Sequence, residues 1–236
     1  MQRQIKRRNY FRKTIRSAIV TIVGATQRII GLGFLVILIV AGVNFLFGSS
    51  IIQSSVKPSD TADTYAQLLS ESEETIAFLD ENIWTSLTVQ EKAGALQIIA
   101  NLERSYLGIS NELNVCVANL EKEDLLGRYD DSKHEIIIDM DLLLSGSAQD
   151  ALQCLLHEAF HSFEHRMVDL YEETDVSNKN LWIFRKAKIY AEEFRYYNNG
   201  EDVYSDYYEQ QCEIDARDFA EERVKFYEDL INQSAE

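Results

Sequence analysis

The chain has 236 residues, enough for one sizeable domain and an appendage, and carries a formal charge of −16 from 39 Asp and Glu against 23 Lys and Arg. So acidic a chain lacks the basic surface that phosphate backbones require, which excludes nucleic-acid binding as its main business. Its three cysteines, Cys116, Cys154 and Cys212, are an odd number without zinc-knuckle or redox-pair spacing, so a complete set of internal disulfides is excluded and buried free thiols are expected.

The charge is unevenly placed. Residues 1–50 hold eight Lys and Arg and no acid, so the remainder sets 15 bases against all 39 acids, a formal charge of −24. The basic head (1–28) runs into "IIGLGFLVILIVAGVNFLF", residues 29–47, whose one polar member is Asn44. Nineteen helical residues span about 28 Å, close to the ~30 Å hydrocarbon core, and no polar face interrupts them, so a transmembrane helix is predicted. Flanking basic residues favour the cytoplasmic side. The expected protein is therefore a single-pass cell-membrane protein with its N-terminus inside and its acidic domain outside. The long basic region and the exit "GSSIIQSSVKPSD" favour an uncleaved anchor over a signal peptide.

Residues 48–87 read as a linker and stalk. Pro58, Ser59 and Asp60 are helix-start signals, and "DTYAQLLSESEETIAFLDENIW" has the pattern of a polar helix with a thin apolar stripe. Next, "TVQEKAGALQIIANLERSYLG" is a helix opened by a capping box, Thr88 with Glu91, and closed by Gly108. "ELNVCVANL" and "GRYDDSKHEIIID" then alternate and enrich in β-branched residues around a polar turn at 130–133, which predicts a small sheet. Ser147 and Asp150 open a further helix, and "NLWIFRKAKIYAEEFRYY" and "YYEQQCEIDARDFAEERVKFYEDLIN" follow across the turn "NNGED".

The chemistry is concentrated in "ALQCLLHEAFHSFEH", residues 151–165. Residues four apart on a helix lie about 40° apart round the axis and about 6 Å along it, so His157 and His161 project from one face and can bind one metal ion. Glu158 stands beside that ion and is suited to act as general base toward a metal-activated water. A catalytic zinc needs a third protein ligand. His165 is about 12 Å along the helix from His157, too far to share the ion, and nothing supports His134. Glu164 and His165 are instead candidates for a hydrogen bond to a ligand imidazole. Cys154 falls on the same helix face, where packing behind the helix is expected. Tyr190, Tyr196, Tyr197, Tyr207 and Tyr208 all lie in the right half of the chain to supply a second electrophile, and sequence singles out none of them.

The segment Glu213, Asp215, Ala216, Phe219, Ala220 resembles the E-x-(E/D)-A-x-x-F-A signature of gluzincin-type zinc metallopeptidases, shared by membrane heat-shock, CAAX-processing and phage-repressor-cleaving peptidases. The resemblance implies one Zn²⁺ per chain held by His157, His161 and Glu213, with Asp215 the alternative third ligand. Arg217 stands where the family often has an acid or amide. "GRYDDSKHEIIIDMDLL" before "LLHEAFH" is similar to the hairpin of compact gluzincins, whose edge strand pairs with an extended peptide substrate.

The expected fold is therefore α+β: an N-terminal transmembrane helix, then a helix-rich zincin-like domain over 88–236 with a small β-sheet before the HExxH helix. The expected function is hydrolysis of peptide bonds by a membrane-anchored zinc metallopeptidase. The alternatives are a zinc-binding but non-catalytic surface module that holds a peptide or partner, and a structural anchor acting through its stalk.

Overall fold

The computed structural model describes residues 58–120, 125–197 and 204–235; the predicted membrane span at 29–47 and the "NNGED" turn lie outside them. Among the described residues no helix is long and apolar enough to cross a membrane. The chain divides into two compact units: the described residues 58–71 and 230–235 belong to one, and 72–229 form the other. The first contains helix α1 (Pro58–Glu71).

The larger unit is helix-rich with one small sheet, an α+β arrangement as expected. It begins with the short helices α2 (Glu73–Ile76) and α3 (Glu81–Trp84), joined by a 3₁₀ turn at Ala77–Leu79, and continues into α4 (Val89–Tyr106). The single continuous polar helix predicted for this stretch does not form. Asp80 adopts an extended backbone and accepts from the Asn82 amide at 2.9 Å, which ends one turn and caps the next. The thin apolar stripe is core: Ile76, Leu79 and Trp84 are buried, and the Trp84 indole donates to the Gly146 carbonyl.

The capping box of α4 forms as read, with Thr88 and Glu91 bonded reciprocally, and Gly108 takes a left-handed φ of 69° just past the helix end. The sheet follows: β1 (Asn114–Ala118), β2 (Gly127–Asp130) and β3 (Glu135–Asp139), in the order β1-β3-β2. β2 returns antiparallel to β3 through a turn at 131–134, and β3 therefore lies in the middle, parallel to β1. That position explains three successive isoleucines, Ile136, Ile137 and Ile138, since a central strand covered on both faces has no polar side.

After α5 (Met140–Ser145) comes α6 (Ala148–Glu173), the long helix that carries the histidines, opened by the Ser147–Asp150 capping box. β2 and β3 both pack on it. β2 comes closest at Gly127, where a Cβ would meet Cys154 Sγ at 2.5 Å; a side chain there would hold the strand off the helix one turn before His157. A 3₁₀ turn at Trp182–Phe184 leads into α7 (Arg185–Arg195), then α8 (Tyr204–Tyr208) and α9 (Gln211–Ala235). The three cysteines are free, Cys154 and Cys212 buried and Cys116 partly so.

Candidate metal centre

Two helices supply the site. On α6 the residues Ala151, Leu152, Leu155, Leu156 and Ala159 are buried, and this apolar body fixes the helix while His157 and His161 project together one turn apart. On α9 Glu213, Ala216 and Ala220 share a fully buried face, at the i, i+3, i+7 spacing of one helix side. The signature phenylalanine of that segment, Phe219, stacks on Phe160 of α6 with ring centroids 4.8 Å apart, tying the two helices together beside the ligands.

The three side chains converge. His157 Nε2 and His161 Nε2 are 3.0 Å apart, Glu213 Oε2 is 3.2 Å from His157 Nε2, and Glu213 Oε1 is 3.6 Å from His161 Nε2. Ligands about 2.0–2.1 Å from one zinc ion at tetrahedral angles stand about 3.3 Å from each other, which the three distances bracket. Glu213 is fully buried, and its Oε2 has no hydrogen-bond partner, although His157 Nε2 lies 3.2 Å away. A buried carboxylate oxygen of that kind is costly unless a cation takes it up. His157, His161 and Glu213 are the group in the described residues that could hold a metal ion, and their donor set of two imidazoles and a carboxylate suits zinc.

The surroundings set the protonation. His161 Nδ1 lies 2.8 Å from Glu164 Oε2, so its N–H faces the carboxylate and its Nε2 lone pair faces the centre of the triad. Glu164 is wholly buried. Burial works to lower the His161 pKa, but the bond to Glu164 and the charges of Glu158, Glu164 and Glu213 raise it well above the usual imidazole value. Burial likewise pushes the Glu164 carboxyl up, with His161 opposing. Burial alone would raise Glu213; contact with the His157 imidazole, the charge of His161 and the Tyr197 hydroxyl outweigh it and hold it at about 2. The pocket thus favours positive charge at its centre, which a divalent cation satisfies.

The remaining residues sort themselves. Asp215, the alternative ligand, is turned away: it accepts from both Lys186 (2.8 Å) and Tyr190 (2.5 Å) on α7. His165 does not touch a ligand imidazole; it stacks on Phe194 with centroids 4.3 Å apart and lies 3.5 Å from Asp131. His134, at φ 54° in the β2–β3 turn, bonds Tyr129 of β2 and Asn111 ahead of β1. Arg217 donates to the Tyr208 carbonyl and lies over its ring, and the carboxylate beside a ligand imidazole is Glu164 of α6. Of the five tyrosines weighed, Tyr197 reaches the triad: its hydroxyl donates to Glu213 Oε1 at 2.6 Å. Burial and the Glu213 charge push its pKa far up, so it stays a proton donor. Glu158 sits buried between the histidines in sequence, with 8% of its surface exposed.

No family model, curated protein or solved structure matches this chain.

Glu164→Gln keeps an acceptor for His161 Nδ1 but removes its charge. Loss of such a partner weakens metal binding by about 10- to 100-fold. The expected result, read by zinc titration against a chelating dye, is a drop of about tenfold for Glu164→Gln and more for Glu164→Ala.

Proposed function

We propose that the chain is a zinc metallopeptidase that hydrolyses peptide bonds, anchored in the cell membrane by residues 29–47 with its catalytic domain on the extracytoplasmic side. The observation that carries the reading is the convergence of His157, His161 and Glu213, with Glu164 orienting one imidazole and an uncommitted glutamate, Glu158, next to the other. A zinc ion held by the three ligands supplies Lewis acidity toward a carbonyl and lowers the pKa of a nearby water.

The chain's own groups do the rest. Glu158 takes the proton of the attacking water and passes it to the leaving amine. Glu164 keeps the His161 proton on Nδ1, so that Nε2 remains a ligand. Tyr197, held protonated, donates to Glu213 Oε1 and so fixes that ligand carboxylate. The substrate binds as an added strand along β2, an edge of the sheet. Leu126 O accepts from the Asp139 amide, so by antiparallel alternation the main-chain groups of Gly127 and Tyr129 point away from β3, toward an incoming peptide.

The test is peptide hydrolysis by the full chain. Turnover of members of a diverse peptide library, abolished by chelation and restored by one equivalent of zinc, supports a peptidase. A fully zinc-occupied chain that cuts none of them supports the non-catalytic binding module.

A further inference from the structure

The stretch "VSNKNLWIFRKAKIYA", residues 176–191, departs from the rest of the acidic domain: sixteen residues with four Lys and Arg and no acid, in a chain that has 39 acids. It covers the turn before α7 and most of that helix. Three apolar side chains stand open to solvent along the turn: Val176 at 82%, Leu181 at 42% and Trp182 at 65%. α7 buries Ala187, Tyr190 and Ala191, so its opposite face is outermost and presents Arg185, Lys188 and Arg195 together with one acid, Glu192. Arg195 and Lys179 are engaged by Glu172, and Lys186 by Asp215. Arg185 and Lys188 are exposed and have no carboxylate partner among the described residues.

We propose that this surface, Val176, Leu181 and Trp182 with Arg185 and Lys188, rests on an anionic phospholipid bilayer. An indole beside a leucine, flanked by cations, is the composition that settles at the headgroup level, where the ring enters the interface and the charges meet lipid phosphates. The attraction of a Lys or Arg to an anionic surface acts within a Debye length and is weakened by salt. Beyond residue 50 the chain has a formal charge of −24, so an anionic bilayer repels it as a whole and attracts it along this edge. A purely acidic protein partner would match the cations but leave the exposure of Val176, Leu181 and Trp182 unaccounted for. The proposal does not depend on whether the chain is a peptidase.

The chain has two tryptophans, and Trp84 is fully buried, so lipid-dependent changes in emission report Trp182; a Trp182→Phe variant gives the Trp84 background. The full chain is placed in nanodiscs of phosphatidylcholine, with or without phosphatidylglycerol, carrying brominated acyl chains. The expected result is a blue shift of Trp182 and bromolipid quenching about twofold stronger in the anionic discs, lost in the double variant R185E/K188E and reduced by salt. Trp182 as open to acrylamide in anionic discs as in detergent overturns the proposal. So does protection that ignores lipid charge and survives R185E/K188E, that follows protein concentration in detergent and marks a second copy, or that appears in detergent on adding polyglutamate.

Discussion

If the chain is the proposed zinc peptidase, Glu158→Gln is expected to lower kcat/KM for peptide hydrolysis by about 10²–10⁴-fold while zinc stays bound. The substitution preserves the size of the side chain and removes its one chemical capacity, that of taking a proton, and a general base contributes acceleration in that range. The glutamate is buried next to His157 rather than among the converging ligand atoms, so the metal site keeps its three donors. Its charge also acts on His161, so zinc affinity is measured beside turnover. Metal content and turnover measured on the same preparation separate the two effects. Full activity in Glu158→Gln would remove Glu158 from the chemistry.

The second large effect is on stability and lies away from the ligands. Glu103 on α4 is fully buried and receives Arg223 Nε at 2.8 Å, Arg223 Nη2 at 2.6 Å and the Tyr227 hydroxyl at 2.6 Å. Arg223 is itself buried, packed over the rings of Tyr106 and Phe226 at 4.2 and 4.1 Å. This two-pronged pair joins α4 to α9, the helix that carries Glu213. Glu103→Ala leaves a buried guanidinium without its carboxylate, and breaking such a pair from one side costs about 3–5 kcal/mol. The rings over Arg223 set the expectation at the lower end, about 3 kcal/mol. Urea unfolding of the zinc-loaded chain should show the midpoint falling with the slope unchanged. A loss below about 1 kcal/mol would show that the pair adds little to stability.

How much of this was legible depended on distance along the chain. His157, Glu158 and His161 were readable because a helix converts a spacing of four residues into one face, and Ser147–Asp150 and Thr88–Glu91 because a capping box is closed within a single turn. Glu164 was within reach for the same reason: it sits three residues after His161, and its competitor His165 was separated from it only by the ring of Phe194 and the turn residue Asp131, which come from other elements. Glu213 needed a resemblance, since no local rule joins it to a helix so far upstream; its isolation from Asp215 became plain only through Lys186 and Tyr190.

Tyr197 was illegible among five tyrosines, because what distinguishes it is a contact made across the fold. The same holds for residues 73–84. Their thin apolar stripe suits an exposed helix equally well, and the core role of Trp84 is set by partners such as the Gly146 carbonyl and the Lys92 ammonium, which lies over its ring. The parallel pairing of β1 with β3 is likewise non-local, whereas the β2–β3 turn could be read directly.

If His157, His161 and Glu213 form one metal site, the chain holds one zinc through them, and metal content is the test. The full chain and its Glu213→Ala variant are reconstituted with zinc, freed of excess metal and analysed for zinc per chain. One zinc in the wild type, lost or greatly weakened in Glu213→Ala, is the expected result. A wild-type chain that retains no metal after reconstitution contradicts it.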